Sequence, residues 1–283
     1  MRWTTGGSSI VAMKRSRPPH TGGGRYFGTA VLAAGRNVFV GDAQRILGAS
    51  AIGPGIAYLF DARTGVLRAT LHPPEPRDGA AFGAVAAAFR GGFAVGEPGT
   101  TTVSGFVHLC DRDGGYVQTL AAACATPGDF FGSALAGSGR RLLIGAPGAA
   151  GGGAAYLARR QHGRWRIVRT FGGAPYDAHF GASVALAGRR AALGSPETYG
   201  GVHLFATRRD APLAHIVPPP FDPFFGDGYH PGLGAAVAIV GRTVVVASTT
   251  SDENDPGYVI GYRPRREDRA SRQRWRAANP VIP

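Results

Sequence analysis

The residues of this chain that could do chemistry are carboxylates and arginines placed in turns. An aspartate stands shortly before three Phe-Gly pairs, at Asp78, Asp129 and Asp177, and Asp227 lies farther from the next equivalent position. Such carboxylates could hold a cation, but aspartate beside glycine more often caps a turn through its own backbone, so we expect turns. The acidic segment 251–257 lacks the spacing of a calcium loop and is expected to be solvated.

No catalytic motif accompanies these residues. The sequence has no Ser/His/Asp or Cys/His pattern, and the glycine-rich stretch 145–155 lacks the Lys-Ser/Thr ending of a phosphate-binding loop. We predict a protein without catalysis and without a cofactor. The alternative is a hydrolase or lyase with an acidic site built from Asp129, Asp177 and His179.

Cysteine and histidine usage gives no metal site. Two cysteines, Cys110 and Cys124, are too few for a disulfide framework or a zinc centre. The expected strand register places them far apart, so we predict that they do not pair. His108 and His203 occupy a strand position that other repeats fill with tyrosine, and we interpret them as packing residues.

Composition favours many short strands joined by tight turns. Of 283 residues, 45 are glycine and 21 proline, while 44% are hydrophobic and 17% charged. This balance provides a core and many turn formers, and it argues against a coiled coil. No apolar run is long enough for a membrane-spanning helix or a clear signal peptide, so the default compartment is the cytoplasm or an assembled particle.

A short core recurs five times along the chain. Each copy continues into further short apolar runs, so that every repeat holds four runs separated by turn signals. Four-stranded antiparallel units that repeat at this spacing are blades of a β-propeller, and we predict that all-β fold. Five blades are favoured; a sixth is the alternative if the N-terminal SSIVAMKRS adds a strand. The cores begin at Phe27, Phe82, Phe131, Phe180 and Leu233.

These cores resemble a known repeat. The Phe-Gly opening, the small-residue first strand, the Gly-Ala-Pro at 145–147 and the following Gly-x-x-Tyr-Leu are similar to FG-GAP repeats, which build the β-propeller of integrin α subunits and bacterial relatives. The resemblance covers residues 26–276, with 1–25 as an N-terminal segment or closing strand and 277–283 as a tail. It implies a protein-interaction module, and by analogy an extracellular one.

Two departures from the family pattern matter. Integrin-type propellers have seven blades, whereas this chain has five clear repeats. Several family blades also bind calcium through an Asp-x-Asp-x-Asp-Gly loop between the first and second strands. The corresponding turns here contain no carboxylate, so the family's calcium sites are not carried over.

Strand direction sorts the charges between two ends of the molecule. In an up-and-down antiparallel blade, the first-to-second and third-to-fourth turns emerge at one end, and the other connections at the opposite end. We call the first the basic end, because its turns hold most of the arginines among the 31 cations that give a net charge of +13. The other connections gather most acids, among them Asp42, Glu97 and Asp129, which predicts an acidic end.

The basic end is a candidate surface for an anionic partner, namely nucleic acid, an acidic protein or lipid headgroups. Codon bias is the competing explanation for the high arginine content, and the tendency of turns to be solvated is the competing explanation for where the arginines lie. The turns of the basic end also include Arg36, Arg90 and Arg112. The residues proposed to meet the partner are Arg140, Arg141, Arg159, Arg160, Arg189, Arg190, Arg208, Arg209, Arg265 and Arg266.

The opposite end is a candidate site for a second ligand, because its longest connection, 218–232, is rich in aromatic residues. Integrin ligands meet this same end, so the resemblance supports the assignment. The sequence therefore predicts an interaction scaffold. The alternative is a structural component of a virion or ribonucleoprotein, anchored by the arginine-rich segment 263–276. The residues proposed for the second ligand are Tyr176, Asp177, His179, Tyr199, Phe224, Phe225 and Tyr229.

Overall fold

A computed structural model describes residues 26–43, 53–172, 179–196, 201–208, 212–217, 232–249 and 259–263. Within these residues the fold is all-β, without a helix, and the strands form five antiparallel sheets that follow the order of the chain. Sheet 1 consists of β1 (Phe27–Ala34), β2 (Asn37–Asp42), β3 (Ile56–Asp61) and β4 (Leu67–Leu71). Sheet 2 consists of β5 (Val85–Phe89), β6 (Gly92–Glu97), β7 (Phe106–Asp111) and β8 (Tyr116–Leu120).

The remaining three sheets repeat this plan. In sheets 1 to 4 each strand pairs with the next strand in sequence, which confirms the predicted four-stranded units. Sheet 5 has three strands, and its predicted fourth lies outside the described residues. Sheet 3 consists of β9 (Ala134–Ser138), β10 (Arg141–Ala146), β11 (Ala154–Gln161) and β12 (Arg164–Gly172). Sheet 4 consists of β13 (Ser183–Ala187), β14 (Arg190–Ser195), β15 (Gly201–Ala206) and β16 (Pro212–Ile216), and sheet 5 of β17 (Leu233–Val240), β18 (Thr243–Ser248) and β19 (Val259–Tyr262).

Apolar side chains fill each space between successive sheets, in the manner of propeller blades. The second strand of a repeat is buried on both faces, and its β-branched and large apolar residues suit that position. Leu109 of sheet 2 and Ile144 of sheet 3 belong to one cluster with Phe131, which stands in the connection between them. Similar clusters lie between sheets 1 and 2, 3 and 4, and 4 and 5.

The Phe-Gly pairs join neighbouring sheets through backbone contacts. Gly181 has φ of +89°, and its N–H donates to Gly194 O of its own sheet at 2.9 Å. Its carbonyl oxygen faces Gly145 of the preceding sheet so closely that a Cβ added at Gly145 would lie 2.1 Å from it. Gly41, Gly96 and Gly194 make the same contact with the next sheet. Glycine in the second strand is therefore required by the approach of the following blade.

Within the described residues, no junction of this kind connects sheet 5 to sheet 1, the two sheets at the ends of the array. Sheet 5 carries Ala247, paired with Ala236, where Gly145 pairs with Ala134 in sheet 3. Nothing lies within 4 Å of a Cβ built on Gly28, the Phe-Gly glycine of sheet 1. Among the described residues the array is not closed between sheets 5 and 1, so the choice between five and six blades stays a prediction. Large apolar side chains remain exposed on these sheets, namely Val31 at 67%, Val240 at 68% and Val259 at 69%.

Candidate anion-binding surface

Backbone hydrogen bonds hold the two kinds of arginine-bearing turn together within a sheet. In sheets 1, 3 and 4, an N–H at the third-to-fourth turn donates to a carbonyl at the first-to-second turn. This arrangement follows from antiparallel pairing of consecutive strands and agrees with the predicted sorting of the turns. The bonds run from Ala62 N to Arg36 O at 2.8 Å, from Arg160 N to Arg140 O at 3.0 Å and from Thr207 N to Arg189 O at 2.8 Å.

A second set of hydrogen bonds connects these turns from one sheet to the next. Because the bonds link sheets 1 to 2, 2 to 3 and 3 to 4, the turns of four sheets form one continuous surface. The bonds run from Asn37 Nδ2 to Arg112 O at 2.8 Å, from Arg90 N to Gly139 O at 2.7 Å and from the Arg141 guanidinium to Gly188 O.

Cations crowd around Arg141 on this surface. Partial burial lowers the pKa of the Arg141 guanidinium, and the positive charges of Arg159, Arg208 and Arg189 lower it further. The described turns of sheets 3 and 4 contain no acidic residue to offset these charges. The structure thus brings together arginines from two blades that lie far apart in sequence.

Two acids at this end, Asp61 and Asp111, have structural partners. Asp61 Oδ1 accepts hydrogen bonds from Arg63 N at 3.0 Å and Thr64 N at 2.9 Å, and its other oxygen pairs with Arg68. The Thr64 bond, followed by the Arg68 pair, lowers the pKa of the Asp61 carboxyl. Asp111, at the equivalent position of sheet 2, caps its turn in the same way. Both acids act as turn caps, and together with Asp113 they are outnumbered by the arginines of the described turns at this end.

Most of the predicted anion-binding residues lie within the described part of the chain. Four are exposed and three are partly buried, so the surface is accessible from solvent. Exposed are Arg140, Arg159, Arg189 and Arg208; partly buried are Arg141, Arg160 and Arg190; Arg209, Arg265 and Arg266 lie outside the described residues.

Only one residue proposed for the second ligand lies within the described residues. His179 is exposed and has φ of +60°, and its carbonyl accepts a bond from Ala182 N at 2.9 Å. Ala81 and Phe130 adopt the same backbone conformation at equivalent positions, so this geometry belongs to the turns before the Phe-Gly pairs of sheets 2, 3 and 4. The others, Tyr176, Asp177, Tyr199, Phe224, Phe225 and Tyr229, lie outside the described residues.

The acidic end carries less surface charge than the sequence suggested. Asp42 and Glu97 are fully buried, because they end the second strands, which are covered on both faces. Asp129 is also buried, and it accepts hydrogen bonds from Thr126 N at 2.8 Å and Thr126 Oγ1 at 2.7 Å. The turn-capping interpretation of Asp129 is confirmed, whereas counting these three acids as surface charges was wrong. Exposed acids at this end include Glu75 and Asp78.

Sequence reasoning also missed a buried ionic network around Glu97. One carboxylate oxygen lies 2.6 Å from the Arg77 guanidinium, and the other 2.5 Å from His108 Nε2. His108 Nδ1 lies 2.9 Å from Thr119 Oγ1, and the Arg77 guanidinium covers the Phe106 ring at 4.1 Å. The sequence did contain a signal for this network, because Glu97 occupies a position at which the third repeat has an apolar residue. His108 stands two residues beyond the strand partner of that acid, on the same face of the sheet.

The structure also places the histidine and cysteine side chains that the sequence singled out. His203 stacks on His215 with ring centroids 4.0 Å apart, in keeping with a packing role. Cys110 and Cys124 are both free thiols, as predicted. Burial, and next the charge of Asp111, raises the pKa of Cys110 to about 12. Within the described residues, no cluster of three His, Cys, Asp or Glu side chains could hold a metal ion, and no helix could cross a membrane.

Comparison with known families agrees with the repeat pattern. Residues 115–158, from β8 through most of β11, match the family model of the FG-GAP repeat. This part of the chain is therefore similar to an FG-GAP repeat. Together with the blade-like sheets, the match supports a β-propeller-like all-β fold.

Other comparisons add little to the FG-GAP match. No curated protein matches the chain. The crystal structure of the computationally designed Ika8 protein aligns with 85% of this chain and 72% of its own, at 13% sequence identity and a TM-score of 0.45. Nothing about function follows from a similarity at this level.

Proposed function

We propose that this protein is a non-catalytic interaction scaffold whose basic end docks on an anionic partner. The observation that carries the proposal is the crowding of Arg141 by Arg159, Arg189 and Arg208 on a surface continuous across four sheets. Like charges held this close repel one another, and a bound polyanion would relieve the repulsion. The partner classes are nucleic acid, an acidic protein and lipid headgroups.

The backbone supports docking because it fixes where the charges stand. Hydrogen bonds between turns hold the Arg140, Arg160 and Arg189 backbones in place, so only their side chains must be ordered on binding. A surface that is preorganised in this way loses less conformational entropy on binding than a flexible basic tail does. Binding to a charged polymer should then fall steeply with salt, because counterions are released from it.

A matched pair of charge changes tests the proposal. Arg189→Glu lowers the net charge by two units at the basic end, whereas the double variant Thr101→Glu, Thr170→Glu lowers it by the same amount at exposed positions toward the opposite end. Binding is measured with a labelled duplex DNA of mixed sequence, with poly-glutamate and with phosphatidylserine vesicles, each over a salt series. We expect at least one of the three to bind, and Arg189→Glu to weaken that binding about tenfold, or about 1.4 kcal/mol. The double threonine variant should stay close to wild type.

Two results would refute docking by the basic end. One is binding that does not change with salt, and the other is an equal effect of Arg189→Glu and the double threonine variant, which would indicate diffuse net charge. The choice among the three probes identifies the partner class. Co-purification of nucleic acid would instead favour the structural component of a large assembly.

The proposal extends to a second partner at the opposite end. Among the described residues it is supported by His179, which is exposed on a turn whose backbone is fixed. The burial of Asp42, Glu97 and Asp129 leaves less negative charge there, so recognition would depend on aromatic and neutral polar contacts. A pull-down with His179→Ala against wild type tests it; an unchanged set of partners would count against this site.

A further inference from the structure

The junction between successive sheets has two halves. One half is a glycine in the second strand of a sheet, and the other is the carbonyl oxygen of the Phe-Gly turn that begins the next sheet. At the junctions from sheet 1 through sheet 5, a Cβ added to the second-strand glycine would lie 2.0–2.3 Å from that oxygen. A side-chain carbon at this position therefore excludes the junction, unless the two sheets move apart.

Sheet 5 carries such a carbon at Ala247. Ala247 pairs with Val259 of β19 as Gly194 pairs with Val202 of β15, so the two positions are equivalent. The Ala247 methyl group stands where the second strands of the other sheets leave room for a carbonyl oxygen. Strand β18 is paired on both sides, so this methyl cannot move aside without disturbing sheet 5. Sheet 5 therefore cannot receive a Phe-Gly turn in the way that sheets 1 to 4 do.

The face of sheet 5 around Ala247 otherwise has the composition of a covered blade face. Val259 is 69% exposed, whereas Val107 and Val202 at the equivalent position are fully buried by the next sheet. The described residues that share this outward face are small or apolar, and none is charged. They include Ala236, Ala238, Val240, Thr243 and Val245. An uncharged sheet face of this kind favours association when it is exposed to solvent.

Sheet 1 presents the complementary half of a junction. Gly28 has φ of +95°, close to the +91° of Gly132, so its Phe-Gly turn is already formed. Among the described residues, nothing lies within 4 Å of a Cβ built on Gly28. Val31 is 67% exposed, whereas Leu135 at the equivalent position of sheet 3 packs in the cluster shared with sheet 2. Every copy of the chain therefore carries both an uncovered turn and an uncovered sheet face.

We infer that Ala247 is a blocking residue, whose methyl group prevents sheet 5 of one molecule from receiving the Gly28 turn of a second copy. Head-to-tail contacts of this type repeat from molecule to molecule and produce filaments unless they close into a ring. β-Proteins oppose such association with residues that do not fit the pairing. The partner to be excluded is a second copy, because within the described residues sheets 5 and 1 of one chain share no apolar cluster. The inference does not depend on docking of a polyanion at the basic end.

Sedimentation velocity of the full chain over an about hundredfold range of concentration tests the block. We expect Ala247→Gly to self-associate at least about tenfold more tightly than wild type, because the overlap that opposes the contact is removed. Ala238→Gly is the matched control. It makes the same change at an exposed position on the same face of sheet 5, and should behave as wild type.

A second substitution identifies the surface that sheet 5 meets. Val31→Glu places a charge on the exposed face of sheet 1, so in the Ala247→Gly background it should return self-association to the wild-type level. Circular dichroism checks that each variant is folded.

Four results would overturn the inference. They are a folded Ala247→Gly that associates no more than wild type, an equal increase in Ala238→Gly, association that Val31→Glu does not reduce, and a monomeric Ala247→Gly of higher thermal stability. The last result would show closure within one molecule instead of contact between copies.

Discussion

Replacing Gly145 by alanine should break the junction between sheets 3 and 4. The new Cβ would lie 2.1 Å from Gly181 O, far inside the 3.4 Å at which ordinary contact begins. The obstacle is a backbone carbonyl, and Gly181 is itself held by its bond to Gly194. Relief therefore requires sheet 4 to shift relative to sheet 3, which would disturb the apolar cluster between them.

Overpacking in a well-packed core costs about 1–3 kcal/mol, and a clash with backbone belongs at the upper end of that range. We expect Gly145→Ala to lower the free energy of unfolding by about 3 kcal/mol. At about 2–4 °C per kcal/mol, the melting temperature should fall by about 6–12 °C. Thermal unfolding followed by circular dichroism, together with urea unfolding, measures both quantities.

Gly172→Ala is the matched control for this clash. Gly172 ends β12, and nothing lies within 4 Å of a Cβ built there. The control should be neutral or stabilising by up to about 1 kcal/mol, because alanine reduces the entropy of the unfolded chain. If Gly145→Ala and Gly172→Ala differ by less than about 0.5 kcal/mol, the sheet junction does not depend on glycine and the argument fails.

Three further predictions concern buried and paired groups. A thiol reagent should label Cys124 in the folded protein and Cys110 only on unfolding. Because the pKa of Cys110 is raised to about 12 in the folded protein, its thiol ionises first in the unfolded chain, and the stability that Cys110→Ala removes should shrink as pH rises above about 9. Glu97→Ala should cost about 3–5 kcal/mol in urea unfolding, since it removes the carboxylate that binds both the partly buried Arg77 guanidinium and the buried His108 ring, whereas Glu75→Ala at an exposed position should be neutral. The lowered pKa of Asp61 stabilises the fold above its unfolded value of about 3.9; wild type should therefore lose stability relative to Asp61→Asn as pH falls below about 4, and an unchanged difference would contradict its role as a turn cap.

Periodicity was enough to predict the repeating units. The cores at Phe82, Phe131 and Phe180 predicted antiparallel four-stranded sheets, and those sheets are present. Capping of a turn by Asp129 and the absence of a disulfide between the two cysteines also followed from local spacing. These features could be predicted because strand alternation and turn formation depend on neighbouring residues.

The burial of the acidic side chains could not be predicted from local sequence patterns in the same way. Glu97 stands in a connection that the sequence assigns to the surface, yet Arg77, from the preceding connection, and His108, from the next strand, enclose it. Asp42 is likewise buried at the end of its strand. Whether a charged side chain turns outward or inward depends on partners that arrive from other elements.

The sequence by itself determined the repeat, the strand order and the end of each sheet at which arginine turns emerge, because all three depend on short-range periodicity and alternating chain direction. Tertiary structure alone decided that Arg141 lies close to the charges of arginines in a neighbouring blade, that Asn37 shares a pocket with Arg90, and that Gly145 must be glycine. Those contacts join residues about one repeat apart, so they arise only when the blades pack together.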